Sequence, residues 1–263
     1  MSLSNAKFTT EQIYDVQHVS DNLVTFKITR PEQFRFVAGQ FARLGLYENC
    51  AEKSAEQIVW RAFSMVNATH SDYLEFFAVI IPNGKFSNLL VNLKNSDHIL
   101  LDKHVFGYLT LNRFNDGDNL WMLATGTGVA PFLSILQDFE VWQKFTHIIL
   151  VYNVRFRQNL AYQELINNLA KLEYIGENGA KLRYLPVISR ENSENILNGR
   201  ITDLLANGML EKQADLPITP ENSRIMICGN PQMVQESLEL FKKRDMRLAL
   251  SRKPGQIAVE NYW

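Results

Sequence analysis

LWMLATGTGVAPFLSIL, residues 120–136, decides how this chain is read. An apolar run from Leu120 to Ala124 meets a Thr/Gly turn, Thr125 to Gly128, after which Val129, Phe132, Leu133 and Leu136 recur at helical spacing. The stretch predicts strand, turn, helix. Gly126 and Gly128 carry no side chain to block a phosphate, and Pro131 suits a first helical turn, where unpaired N–H groups and the helix dipole attract an anion. A nucleotide phosphate is expected here. Pro131 stands where the third glycine of a G-x-G-x-x-G fingerprint would fall, however, and a buried strand can enter a helix through glycine without binding anything.

Downstream, strand and helix patterns alternate. Ile148 to Tyr152 is a β-rich apolar run, Tyr162, Leu165, Ile166, Leu169 and Leu172 form a helical stripe, and Leu182 to Ile188 returns to strand. Ile225 to Cys228 is a short buried strand, followed by a helix marked by Val234, Leu238 and Phe241. Such βα repetition implies a parallel sheet with helices on both faces and ligands beyond the carboxyl ends of its strands. Those ends carry Thr125 to Gly128, Asn153 to Arg155, Ser189 and Arg190, and Cys228, Gly229, Asn230 and Pro231. Their shared edge strengthens the nucleotide reading. Arg155 and Arg157 follow the second strand and Ser189, Arg190 and Arg200 the third, with Glu191 the one acid against them, so a 2′-phosphate is favoured over free ribose hydroxyls and NADP over NAD.

The first half reads differently. Val24, Phe26 and Ile28 alternate with polar residues, and Phe36 to Leu46, Ile58 to Val66, Leu74 to Ile81 and His98 to Val105 are further strand candidates. Short strands at this spacing suggest a closed antiparallel barrel, although a sandwich gives a similar pattern. Two places look chemical. In Arg61, Ala62, Phe63, Ser64 a guanidinium suited to a diphosphate alternates with a ring suited to a flat cofactor; the plain alternative is a strand with one core ring and one surface cation. In Pro82 to Ser87 a turn opens a helix marked by Leu89, Leu90 and Leu93, and Lys85 and Ser87 add a charge and a hydroxyl, which fits either an anion site or an ordinary capped helix.

With 263 residues, 46% hydrophobic and 21% charged, the chain has the composition of a globular protein of two domains, residues 1–117 and 118–263. A net charge of -1 supplies no global field for nucleic acid or membrane, and neither partner is expected. The opening MSLSNAKFTT lacks signal-peptide features and no run approaches a membrane span, so a cytoplasmic location is expected. Cys50 and Cys228 are too few for an iron–sulfur cluster, and the scattered histidines show no ligand spacing; no metal site is expected.

RAFS (61–64), GKFS (84–87), ATGTGVAP (124–131), SR (189–190), CGNPQMV (228–234) and VENYW (259–263) together resemble the bacterial ferredoxin/flavodoxin NADP reductase family along nearly the whole chain. The resemblance implies a six-stranded antiparallel β-barrel holding FAD, then a Rossmann-like parallel α/β domain holding NADP(H), and a C-terminal tail returning to the flavin. By resemblance Arg61 and Ser87 meet the FAD diphosphate, Lys85 and Phe86 line it, Phe63 and Ser64 lie on the isoalloxazine, and Ala62 belongs to the FAD set. Phe77, Val79 and Thr127 match further flavin positions, Tyr262 the aromatic covering the ring, and Trp263 a contact to the adenine. The NADP set is Gly126, Thr127, Gly128, Val154, Arg155, Ser189, Arg190, Arg200, Gly229, Asn230 and Pro231. The family usually has tyrosine where Phe63 stands, which keeps the stacking and loses a hydroxyl.

The implied reaction passes a hydride from NADPH to flavin N5 and then single electrons, reversibly, to ferredoxin or flavodoxin. Ser64 would hydrogen-bond near N5, Cys228 would border the nicotinamide, Glu260 would assist positioning or proton movement, and Tyr262 would gate the ring. Lys242, Lys243, Arg244, Arg247, Arg252 and Lys253, broken only by Asp245, offer a docking face for an acidic carrier or simply a solvated helix end. A monomer is expected. The alternatives are an NAD(P)H-dependent flavin or ferric reductase with a small-molecule acceptor, and a nucleotide-sensing module without turnover.

Overall fold

The computed structural model describes residues 7–48, 57–171, 181–250 and 252–261. Its first sheet contains β1 (Phe8–Ser20), β2 (Leu23–Thr29), β3 (Phe41–Glu48), β4 (Gln57–Ser64), β5 (Tyr73–Val79) and β6 (His98–Phe106), with helix α1 (Lys85–Leu90) between the last two. The strands run antiparallel in the order β4-β3-β6-β1-β2-β5. The ends of that order meet through an antiparallel bridge between Met65 and Phe76 and a bond from Val66 N–H to the Glu75 carbonyl at 2.9 Å. The sheet therefore closes into a barrel, its interior filled by Phe26, Ile28, Leu44, Phe76 and Leu101.

The sequence pattern leaves β1 unmarked for a physical reason. Its alternation breaks at Asp15, where φ is 52° and the pairing with β2 slips between Tyr14 and Gln17, so the two-residue period is lost at a bulge. The expected strand from Phe36 begins only at Phe41. Phe34, Phe36 and Ala38 are buried in the irregular segment before it, apolar because they plug the structure and not because they pair.

The second sheet is parallel, in the order β10-β9-β8-β7-β11-β12, from β7 (Asn119–Thr125), β8 (His147–Val154), β9 (Lys181–Ile188), β10 (Leu197–Asn198), β11 (Ser223–Gly229) and β12 (Ile257–Asn261). Along β7, Leu120, Met122 and Ala124 face one core and Trp121 and Leu123 the other, so both faces must be covered by helices. Helices α2 (Ala130–Leu136), α3 (Phe139–Lys144) and α4 (Gln163–Ala170) precede β9, and α5 (Ile201–Ala206), α6 (Met209–Ala214) and α7 (Pro231–Lys242) follow it. The chain leaves β7 toward β8 on one side and returns to β11 on the other. That reversal of strand order opens a crevice at their carboxyl ends.

The two sheets share a core. One apolar cluster runs from Phe132, Leu133 and Tyr152 to Leu23, Val66 and Phe77 of the barrel. Polar bonds cross the same seam: Ser134 Oγ donates to the Asn67 carbonyl at 2.9 Å, Gln137 Nε2 to the Val66 carbonyl at 2.8 Å, and Tyr162 Oη to Glu75 Oε1 at 2.9 Å. Burial raises the Glu75 carboxyl above its ordinary range, against the lowering effect of that tyrosine bond.

Two glycines in the opening stretch serve different ends. A Cβ on Gly128 would lie 2.4 Å from the Cys228 carbonyl oxygen, so this glycine lets the loops after β7 and β11 touch backbone to backbone. Gly126, at φ +55°, would point a Cβ into open space. Gly128→Ala should therefore cost about 3 kcal/mol through overpacking, and Gly126→Ala only about 1 kcal/mol through its left-handed backbone. Urea midpoints of the two variants check the order; equal losses would remove the packing role of Gly128.

Candidate functional site

A cavity of about 480 Å³ lies beyond the carboxyl ends of β7, β8, β9 and β11. Thr125, Gly126 and Thr127 form its floor, Asn153, Val154 and Arg155 continue from β8, Ser189 and Arg190 from β9, and Gly229 and Asn230 from β11. The pairing of β8 with β9 persists past the strands: Ser189 N–H donates to the Val154 carbonyl and Arg190 N–H to the Arg155 carbonyl, each at 3.0 Å. This backbone clamp sets Arg155 and Arg190 side by side. Gly229, at φ +137°, brings its backbone so close to Thr125 that a Cβ would overlap the threonine hydroxyl, which accepts Asn230 N–H at 2.8 Å.

Charge around the cavity is one-sided. Arg155, Arg190 and Arg200 line it, and no carboxylate does among the described residues. Glu191, the acid that argued against a phosphate, lies outside the lining; its Oε1 accepts Arg157 N–H at 2.5 Å. The donor set therefore fits a phosphate on the adenosine ribose and not the carboxylate that binds free ribose hydroxyls.

Two members of the expected nucleotide set stand apart from the lining. Gly128 is packed under Cys228, and Pro231 starts α7, whose first N–H groups, on Gln232 and Met233, are already bonded to Asn230 Oδ1 at 2.9 and 3.3 Å. These two N–H groups are therefore occupied within the protein. Asn22 of the β1–β2 turn, Leu23 at the start of β2, Asn159, Thr202, Gln232 and Met233 also line the cavity, without a sign of it in the sequence. Asn22 and Leu23 come from the barrel and reach the nucleotide domain only through tertiary packing, with Asn159 Nδ2 bonded to Ser20 Oγ at 3.1 Å.

Where the two sheets meet, strand register collects the expected chemical residues. Cys228 on β11 pairs in register with Ala124 on β7 and Glu260 on β12. Ser64, the last residue of β4, is buried and its Oγ donates to Glu260 Oε1 at 3.3 Å. Burial pushes the Glu260 carboxyl up to about 7, with the serine bond pulling the other way. A carboxyl poised there can hold or release a proton near neutral pH.

The barrel side is an open strip. Arg61 is exposed and donates to the Trp60 carbonyl at 2.8 Å, Ala62 is exposed beside it, and exposed Lys85 lies 3.6 Å from Glu48 Oε2. Phe63 is half-buried. Ser87 Oγ accepts Ile81 N–H at 3.0 Å, which fixes the turn before α1. Phe86 is buried in the barrel core, its ring 5.3 Å from that of Phe63, and Phe77 is buried edge-on to Tyr162 at 5.5 Å. Val79 and Thr127 line the nucleotide cavity itself. Tyr262 and Trp263 lie outside the described residues, as does Cys50. The exposed cations of the strip suit a diphosphate, and its seam end carries the Ser64–Glu260 pair, so the donor set fits FAD.

Comparisons with known proteins agree with this geometry. Residues 122–238 match the oxidoreductase NAD-binding domain family. The chain is 40% identical over 255 residues to a flavodoxin/ferredoxin–NADP reductase of Buchnera aphidicola subsp. Baizongia pistaciae, covering 97% of this chain and 98% of that protein. It is 39% identical over 259 residues to the flavodoxin/ferredoxin–NADP reductase of Escherichia coli strain K12, covering 98% and 100%. The crystal structure of a ferredoxin NADP+ reductase from Neisseria gonorrhoeae with bound FAD and NADP superposes with a TM-score of 0.89 at 41% identity, over 98% of this chain and 99% of that one. Barrel, parallel sheet, cavity and likeness across the whole length converge, and the chain belongs to the flavodoxin/ferredoxin–NADP reductase family.

Proposed function

We propose that this chain moves electrons from NADPH through FAD to a flavodoxin or ferredoxin. The observation that carries the reading is a nucleotide cavity lined, among the described residues, by three arginines and no carboxylate. Bound FAD would supply the exchange between a hydride and single electrons. Arg155, Arg190 and Arg200 select the 2′-phosphate, and Thr125 with Asn230 holds together the loops under the dinucleotide. Arg61 and Lys85 hold the FAD diphosphate, residues 1–117 and 118–263 dividing the two cofactors. Ser64 orients the reacting end, and Glu260 keeps a proton-holding carboxyl beside it.

Carrier docking falls to the basic segment after α7. Arg244 pairs with Glu211 at 2.9 Å and Arg247 Nε donates to the Pro254 carbonyl at 3.1 Å, so these two are tethered to the protein. Lys242, Lys243, Arg252 and Lys253 are exposed and can steer an acidic carrier. No helix among the described residues is long and apolar enough to cross a membrane. In this reading the enzyme works in the cytoplasm, as a monomer.

Purified protein should be yellow and NADPH should bleach it rapidly, with turnover on flavodoxin or ferredoxin exceeding that on free flavin or ferric chelates. A colourless protein, or one preferring the small acceptors, would overturn the reading. Ser64→Ala should slow the hydride step about tenfold or more while NADPH binding changes little; single-turnover absorbance traces at saturating NADPH decide it, and an unchanged rate removes Ser64 from the site. For Glu260 the sign follows from its raised pKa. The folded protein keeps the proton that the unfolded chain loses near 4.5, so stability falls as pH rises from about 4.5 to about 7. Glu260→Gln should flatten that slope in chemical denaturation series, and an undiminished slope would assign the dependence elsewhere.

A further inference from the structure

The carboxylate of Glu236 holds a different cavity-lining side chain with each of its oxygens. Oε2 accepts from Arg200 Nη2 at 2.8 Å and Oε1 accepts from Gln232 Nε2 at 2.8 Å. Arg200 and Gln232 line the nucleotide cavity, and Glu236 does not. Gln232 and Glu236 sit one helical turn apart on α7, whereas Arg200 caps α5, so the carboxylate ties two helices together below the cavity. The hydrogen bond from Gln232, together with the Arg200 guanidinium, holds the Glu236 carboxyl below its usual range.

We infer that Glu236 is a positioning residue for the adenosine 2′-phosphate end of the dinucleotide: it fixes Arg200 and Gln232 in place and so sharpens the preference for NADPH over NADH. The inference rests on the NADPH reading given above. A long arginine side chain gives up rotamer freedom when it grips a phosphate, and one already tethered has given it up beforehand. A guanidinium has five N–H groups; the bond through Nη2 leaves the others for a ligand. The Arg200 side chain is 49% exposed and that of Glu236 33%, so water and salt screen repulsion between Glu236 and an incoming phosphate. Orientation outweighs that repulsion.

The test uses FAD-loaded enzyme titrated with 2′-phospho-AMP and with AMP, beside steady-state kinetics on NADPH and NADH. Glu236→Ala should weaken 2′-phospho-AMP about three- to fivefold, the range of an exposed ion pair, and raise KM for NADPH in proportion. AMP binding, KM for NADH and kcat should stay unchanged, which also reports an intact fold. Glu236→Gln keeps an oxygen acceptor and should recover part of the loss. Unchanged or tighter 2′-phospho-AMP binding by Glu236→Ala would overturn the inference, as would an equal loss with AMP. Arg200→Ala separates the two layers: if it weakens 2′-phospho-AMP while Glu236→Ala does not, only the positioning role falls. If Arg200→Ala also leaves the two ligands alike, the NADPH reading of this cavity falls with it.

Discussion

Helix α2 has no solvent face. All its residues, from Ala130 to Leu136, are buried, with the parallel sheet on one side and the barrel on the other. A short helix apolar all round is stable only when both sides are covered, so neither half of this protein can leave the other without exposing it. Its one polar side chain, Ser134, finds a partner in the barrel, at the Asn67 carbonyl. The barrel and the nucleotide sheet are thus held at a fixed spacing. That spacing lets Ser64 from one meet Glu260 from the other and gives the cavity a barrel wall at Asn22 and Leu23.

Register then does within the sheet what α2 does between the sheets. Because β7, β11 and β12 run parallel and in step, Ala124, Cys228 and Glu260 fall side by side, although more than a hundred residues separate the first from the last. A slip of one residue would turn Glu260 to the other face and leave Ser64 Oγ without that acceptor. The glycines fit the same scheme. Gly128 and Gly229 let the backbones after β7 and at the end of β11 lie against each other, while Gly126 has open space where a Cβ would be and lines the cavity together with Gly229.

Much of this was legible in the sequence. Residues 120–136 form the strand, turn and helix their spacing predicts, with a short 3-10 turn at Gly126–Val129 joining them. The nucleotide loops converge because parallel βα units must bring their carboxyl ends together, a constraint visible in the alternation itself. What could not be read were features created by packing. β1 hides behind the bulge at Asp15, β10 is only Leu197–Asn198, and Asn22 and Thr202 carry no local sign of lying at a cavity. Phe77 and Phe86 are buried rings, and nothing in their local sequence separates a ring held in the core from one open to solvent.

Phe63 shows how a ring without a hydroxyl is oriented, since phenylalanine offers no side-chain hydrogen bond. The Phe63 ring lies 5.3 Å from Phe86, 6.3 Å from Phe76 and 6.4 Å from Phe26, tilted or edge-on to each. Such contacts orient a ring through its quadrupole, each worth about 0.5–1.5 kcal/mol, comparable to the net worth of a typical hydrogen bond, about 1 kcal/mol. Orientation at this position therefore comes from neighbouring rings. The half-buried ring keeps an exposed part, so a flat cofactor can be received against it while its packed side stays anchored in the barrel.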